Sequence, residues 1–211
     1  MNFMSGVVTS GRFILASASP RRVELLTLLG LHFEIMPSDV DETFLNGETP
    51  REHVLRLSEE KARRVSERYP DAWVMGADTI VIINGEVLGK PRTPGEAKDM
   101  LGKLSGQVHT VFTGFTVTRM SGDVIISNAV ESSVLFREIP EDEMAWYVRS
   151  EEPYDKAGAY AVQGMGAFFI KEIRGSYTNV MGLPLCEVVD VLKRVGAIGF
   201  SEGGNGTKGK S

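Results

Sequence analysis

Two arginines and one aspartate are the residues whose types and places could do chemistry. In "LASASPRR", Leu15 to Arg22, Ser19-Pro20 has the form of a helix start, with Ser as N-cap and Pro at the first helical position. Arg21 and Arg22 then fall in the first turn, where the helix dipole and unpaired N–H groups favour anions. A misplaced cation there costs roughly 0.3–1 kcal/mol. The chain's other helix starts follow the rule. "TPRE" at Thr49–Glu52 and "TPGE" at Thr93–Glu96 are capping boxes, and "PEDE" sets Glu141, Asp142 and Glu143 in one first turn. The exception has two readings. Either both arginines reach acids elsewhere, Glu24 or the Asp39–Glu42 loop, or backbone N–H groups, dipole and guanidinium groups converge on phosphate. The glycine-rich signature of Walker-type nucleotide hydrolases is absent.

Asp78 interrupts the apolar run "VMGADTIVII". A buried carboxylate must be paired, protonated or bound to a metal. It is either a structural acid bonded to backbone or lysine, or a base or metal ligand at the floor of a site. Gly76 favours the second, because glycine in a strand marks close approach of a ligand or backbone. Thr79 alternates to the opposite face, so Asp78 and Thr79 can share a ligand only if the strand ends or twists there.

Four further residues have a plain reading beside a chemical one. Glu42 in "DVDE" belongs to an acidic loop that is ordinarily solvated. Lys61 in "SEEKARR" has the look of a solvent-facing helix stripe. Lys90 in "GKP" follows a hairpin, where lysines are common. Gln163 in "AVQGMG" has glycine neighbours that let a base approach its amide. His109 reads as a strand or loop histidine and Cys186 as core. No His/Cys cluster has zinc-ligand spacing, and no motif points to a covalent nucleophile.

The elements that must position these residues follow from pattern. Phe13–Ala18 is a short buried strand, and the helix after it is closed by Gly30. "HFEIMPSDVDET" reads as a strand entering an acidic loop. A second helix runs from Thr49 to about Tyr69. "AWVMGADTIVIING" is a strand that turns at Asn84-Gly85 into "EVLGKP", and a third helix ends near Gly106. "HTVFTGFTVTRM" and "DVIISNAVESSVLFREI" are strands joined at Ser121-Gly122. A helix from "PEDEMAWYVRS", a glycine-bearing loop, a strand at "AFFIKEI" and a helix at "GLPLCEVVDVLKRVG" complete the chain. Alternating helices and strands with hairpins in the middle predict an α/β fold with a mixed, partly antiparallel sheet flanked by helices.

Composition bounds the partners. The 211 residues are 42% hydrophobic and 24% charged, ordinary for a globular domain with a sizeable core. The net charge of −5 argues against binding a nucleic acid polymer, while leaving room for a small anion on a local basic cluster. A single cysteine fits a reducing, cytoplasmic setting. No run of 18 apolar residues predicts a membrane span, and the N-terminus does not read as a signal peptide. The expected organisation is a leader over 1–12, one domain over 13–198 and a glycine-rich, disordered tail over 199–211.

Eight motifs occur in order: "LASASPRR", "DVDE", "SEEKA", "GADTIV", "GKP", "LSGQVHTVFTG", "DKAGAYAVQG" and "NVMGLPL". From about Phe13 to Gly196 the chain closely resembles the Maf family of nucleoside triphosphate pyrophosphatases. The resemblance implies a deep central cleft in an inosine triphosphatase-like fold. It implies hydrolysis of a nucleoside triphosphate to monophosphate and pyrophosphate with a divalent metal, Mg²⁺ or Mn²⁺. The family's catalytic acid falls on Asp78 and its other polar site positions on Ser17, Arg21, Glu42, Lys61 and Lys90; of these, Glu42 is expected to face the metal with Asp78, and Ser17, Arg21, Lys61 and Lys90 to bind phosphate. Its base-selecting positions fall on Arg21, Thr79 and Gln163, the set carried by members resembling dTTP/UTP pyrophosphatases. The subfamily acting on 7-methyl-GTP differs there, with an aromatic at the first. "GAYAVQG" departs from the commoner "GAYGIQG" at Ala161 and Val162 and keeps Gln163. The fold is compatible with a homodimer. The competing readings are a non-catalytic nucleotide-binding regulator linked to septum formation and an enzyme acting on modified pyrimidine nucleotides.

Overall fold

The three Ser/Thr-Pro pairs all begin helices, but only two act as the sequence predicts. Thr49 accepts from the Glu52 amide while Glu52 accepts from the Thr49 amide, a complete capping box. Thr93 accepts from the Glu96 amide, but Glu96 reaches back to the Arg92 amide rather than that of Thr93, so this capping box is half formed. Ser19 makes no side-chain cap bond, and its own N–H donates to Ser17 Oγ at 3.3 Å. The helix that carries Arg21 and Arg22 therefore starts with neither an acid nor a capped donor.

The computed structural model describes residues 7–200. The elements are β1 (Val7–Thr9), β2 (Phe13–Leu15), α1 (Pro20–Leu28), β3 (Glu34–Ile35), α2 (Pro50–Ser66), β4 (Trp73–Ile83) and β5 (Glu86–Leu88). There follow α3 (Pro94–Leu104), β6 (Val108–Arg119), β7 (Val124–Phe136), α4 (Glu141–Tyr147), β8 (Ile170–Arg174), α5 (Tyr177–Met181), α6 (Leu185–Arg194) and β9 (Ile198–Phe200). The main sheet runs β3-β2-β4-β6-β7-β8, with β5 also paired to β4. The pairs among β3, β2 and β4 are parallel and the others antiparallel, which is the mixed sheet expected.

Some elements differ from expectation. The strand after "HF" has two residues, with the polar "PSDVDE" stretch beyond it in loop. Met165–Phe169 forms a 3₁₀ segment, so the returning strand begins at Ile170. Val7–Thr9, within the expected leader, pairs antiparallel with Ile198–Phe200. The expected tail beyond residue 200 lies outside the described residues. Cys186 is exposed on α6 rather than core, because Val188, Val191 and Leu192 take the buried face of that helix. Among the described residues no helix is long and apolar enough to cross a membrane.

Two apolar clusters flank the middle of the sheet. One gathers Phe13, Leu15, Trp73, Met75, Ala77 and Phe115 with α1 and α6. The other gathers Val81, Val111, Val134 and Phe136 with α3 and α4. Between Ala77 and Val81 on β4, and between Phe115 and Val111 on β6, stand the paired residues Thr79 and Thr113. The sheet thus carries a polar seam where its two cores meet.

Helix α2 covers the opposite face of β4 and β6, and two glycines let it lie close. A Cβ on Gly76 would stand 2.2 Å from the Ser58 carbonyl oxygen and 2.7 Å from the Ala62 nitrogen. A Cβ on Gly114 would stand 2.2 Å from the Val54 carbonyl oxygen. Gly76 thus marks the close approach of a helix backbone, not of a ligand.

Candidate active site

The cleft arises from a gap in the pairing of β4. On one edge β4 pairs with β6 from Val74 to Ile82. On the other, β2 covers Trp73–Met75 and β5 covers Val81–Ile83. Between them the edge is open, and a cleft of about 400 Å³ lies against it. This position, beyond the carboxyl end of β2 and at the start of α1, is where open α/β sheets place ligands. The open edge also answers how Asp78 and Thr79 share one cavity. The strand neither ends nor breaks there; its neighbour does, and side chains from both faces reach the gap.

All eight residues singled out from the sequence line this cleft: Ser17, Arg21, Glu42, Lys61, Asp78, Thr79, Lys90 and Gln163. At its floor Asp78 is 7% exposed. Lys61 Nζ donates to Asp78 Oδ1 at 2.7 Å and to Glu42 Oε1 at 2.6 Å. One buried ammonium therefore joins a buried acid to an exposed one. Lys61 is not the solvated stripe its local sequence predicts: one helical turn before it, Ser58 sits on Gly76, and that contact lowers Lys61 onto Asp78.

The two arginines of α1 separate. Arg21 is partly exposed at the rim, with its guanidinium 3.5 Å from Asp155. Arg22 is buried and committed to the protein. Its Nε donates to the Gly182 carbonyl and its Nη1 to Ser17 Oγ and the Ala77 carbonyl. Its Nη2 donates to Thr79 Oγ1, and all four bonds are 2.9–3.0 Å. The Ala77 carbonyl lies on the open edge, so Arg22 supplies the donor that a neighbouring strand would have given. Burial lowers the Arg22 pKa, while Asp78 nearby works the other way.

Gln163 is exposed, and its Nε2 donates to Glu24 at 3.3 Å. Lys90 is exposed and also lines the cleft. Three lining residues were not legible as site residues: Asp155, Lys156 and Tyr160. Asp155 bridges Arg21 and Lys156. Burial works against its carboxylate, but Lys156 and Arg21 outweigh that and hold its pKa below the ordinary value. The signal available in the sequence was "DKAG", an acid and a cation in a glycine-bearing loop. Tyr160 shares a 2.8 Å hydrogen bond with His109 Nε2, and burial pushes the His109 pKa down to about 4.

In all, Arg21, Arg22, Lys61, Lys90 and Lys156 face Glu42, Asp78 and Asp155 across one cavity, an excess of cations in a chain whose net charge is −5. The geometry defines an α/β domain with an anion-receiving cleft built around an acid–lysine–acid centre.

The family model described as "Maf-like protein" matches residues 12–195, and the chain belongs to that family. A protein of Syntrophus aciditrophicus named dTTP/UTP pyrophosphatase is 64% identical over 190 residues, covering 90% of this chain and 93% of its own. One of Geotalea uraniireducens with the same name is 51% identical over 185 residues, covering 88% and 95%. Among solved structures, the Staphylococcus aureus Ham1 protein covers 88% of this chain and 97% of its own at 13% identity and a TM-score of 0.48.

Proposed function

We propose that this chain hydrolyses dTTP and UTP to the monophosphate and pyrophosphate. The observation that carries the reading is the junction of Asp78, Lys61 and Glu42 at the floor of a cleft otherwise lined by cations. Relatives at 64% and 51% identity bear the name of that activity.

The chemistry is attack of water on the phosphorus next to the ribose. The new P–O bond forms as the anhydride bond to the second phosphate breaks, and pyrophosphate leaves with that electron pair. Asp78 accepts the proton of the attacking water. Lys61 holds that carboxylate in place through its hydrogen bond to Oδ1. Arg21, Lys90 and Lys156 bind the phosphate oxygens and neutralise charge on the leaving pyrophosphate, with Ser17 donating from the loop between β2 and α1. Gln163 offers one acceptor and two donors to the O4/N3–H edge of uracil or thymine.

Glu42 and Asp78 suit a hard divalent cation, Mg²⁺ or Mn²⁺. Such ions are held by one or two protein carboxylates with substrate phosphates completing the shell. When bound, the ion supplies charge neutralisation at the phosphates. The reducing cytoplasm, where nucleoside triphosphates are abundant, is the setting consistent with an exposed free thiol at Cys186.

The test is pyrophosphate release from each nucleoside triphosphate with Mg²⁺. Asp78→Asn is expected to lose about 10²- to 10⁴-fold in rate, the range for a positioned general base. A near-native rate in that variant overturns the role of Asp78. A preference for purine triphosphates overturns that of Gln163. Tight binding without turnover supports the regulator in place of the enzyme.

A further inference from the structure

Arg22 is the cleft residue without a part in the chemistry above, and it is the best-tied side chain in the site. Four of its five N–H groups are bonded to four residues in three segments: Ser17 after β2, Ala77 and Thr79 on β4, and Gly182 after α5. The bond to Thr79 fixes a direction. A guanidinium only donates, so the Thr79 hydroxyl must accept from it. Behind Thr79 the next hydroxyl is Thr113, 3.0 Å away on β6, and Thr113 donates to the Asn179 carbonyl at 3.1 Å. With the Thr113 proton so placed, the Thr79 proton turns to Thr113 at 3.0 Å in preference to the Gly182 carbonyl at 3.4 Å, and one lone pair of Thr79, which lines the cleft, is left.

We propose that Arg22, together with Thr113, is a positioning residue that presents the Thr79 hydroxyl to the ligand as a hydrogen-bond acceptor. The cleft then selects a pyrimidine carrying an N–H at its pairing edge over one carrying a lone pair there. Uracil and thymine have N3–H; cytosine has an unprotonated N3. Against cytosine the fixed acceptor meets a second acceptor, and discrimination comes from that mismatch as much as from the good pair. Gln163 is left to serve the neighbouring carbonyl oxygen with its amide donors. This rests on the proposed pyrimidine triphosphatase activity and names the group within it that reads the base.

The network explains why the position is held so firmly. Asn179 is fully buried, with Nδ2 donating to the Val111 carbonyl and to Ser132 Oγ. Ser132 in turn accepts from the Ser176 amide. The polar seam between the two apolar clusters thus anchors Thr79 from behind while Arg22 anchors it from the side. A hydroxyl held this way has only the Gly182 carbonyl, at 3.4 Å, as another acceptor to turn to.

The experiment measures kcat/KM for UTP and CTP in six proteins: wild type, Arg22→Lys, Thr113→Val, Thr79→Val, and the first two changes each made in the Thr79→Val background. Lysine keeps the charge but cannot reproduce the planar fork; valine keeps the shape of Thr113 without its hydroxyl. Arg22→Lys and Thr113→Val are each expected to cut the UTP/CTP ratio by roughly tenfold or more, the size of one misdirected buried hydrogen bond. In the Thr79→Val background the same changes are expected to leave the ratio where it stands. An unchanged ratio in the folded single variants overturns the proposal. So does an equal drop in both backgrounds, which would mean that Arg22 touches the ligand itself. If Arg22→Lys gives no cooperative melt, Thr113→Val decides alone, since it leaves all four Arg22 bonds intact. A wild-type enzyme that turns over UTP and CTP equally removes the pyrimidine-selective reading itself. A wild type that prefers UTP, with variants that keep the ratio, removes only the positioning role.

Discussion

Lys61 shows how stability and chemistry meet in one atom. Its Nζ lies between Asp78 and Glu42, and both lysine and aspartate are buried. Removing one partner of a buried pair strands the other charge, at a cost of about 3–5 kcal/mol. Lys61→Met is therefore expected to lower thermal stability by that order and to lose turnover. Adding Asp78→Asn should restore most of the stability by removing the stranded charge, with turnover still lost. A double variant no more stable than the single would show that the lysine's stem, not its charge, holds the floor of the cleft. His109 makes a second case. It is 1% exposed, its Nδ1 has no partner among the described residues, and burial pushes its pKa down to about 4 from an ordinary 6.5. The folded state thus binds a proton less readily than the unfolded chain. Its contribution is complete above about pH 6.5 and is lost as pH falls toward 4, by up to roughly 3 kcal/mol. Melts of His109→Gln across that range should be flatter than those of the native chain by that order; equal slopes would place the titration elsewhere.

Helix α2 is the element that brings the site together, and two absent side chains place it. With Gly76 and Gly114 under its backbone, the row Val54, Leu57, Ser58, Lys61, Ala62 and Val65 lies on the sheet. Gly76→Ala must lift the helix, because the contacted atoms are main-chain ones that cannot turn aside. The expected result is destabilisation of about 1–3 kcal/mol or more, with a larger loss of turnover than of fold as Lys61 leaves Asp78. Circular dichroism melts and pyrophosphate release on one preparation separate the two. Helix starts offer a milder comparison. Thr49→Ala and Thr93→Ala should each cost about 1 kcal/mol. Ser19→Ala should cost much less, as Ser19 makes no cap bond. These elements were legible in the sequence because caps and turns are local. The Asn84-Gly85 hairpin, for example, has both residues at positive φ as that dipeptide predicts. Asp78 was legible as well, since a carboxylate in an apolar run needs a partner. The identity of that partner was not, because Lys61 lies 17 positions away on another element. Cys186 was misread for the same reason: which face of α6 is buried depends on the sheet it meets.

At the scale of the molecule, the arrangement that sequence alone could not supply is the open edge of β4. It depends on β2 stopping at Leu15 and β5 stopping at Leu88, two facts about different segments that meet only in the folded sheet. The same edge concentrates charge. An acidic chain presents five cations and three carboxylates around one cavity, so its field there has the opposite sign to its net charge. A triphosphate approaching the protein is repelled by most of the surface and drawn by the cleft. Such attraction acts over the screening length, about 10 Å at 0.1 M ionic strength and about 3 Å at 1 M. Raising salt over that range should raise KM for UTP several-fold. It should change kcat less, because contacts at the buried floor of the cleft, around Asp78 and Lys61, are screened weakly. Thermal stability should change little, since it rests mainly on the two apolar clusters flanking the seam. Lys90→Met and Lys156→Met are expected to raise KM at low salt and to reduce its salt dependence, each removing one charge from the field. A KM indifferent to salt in the native enzyme would mean that the base and ribose, rather than the phosphates, carry binding.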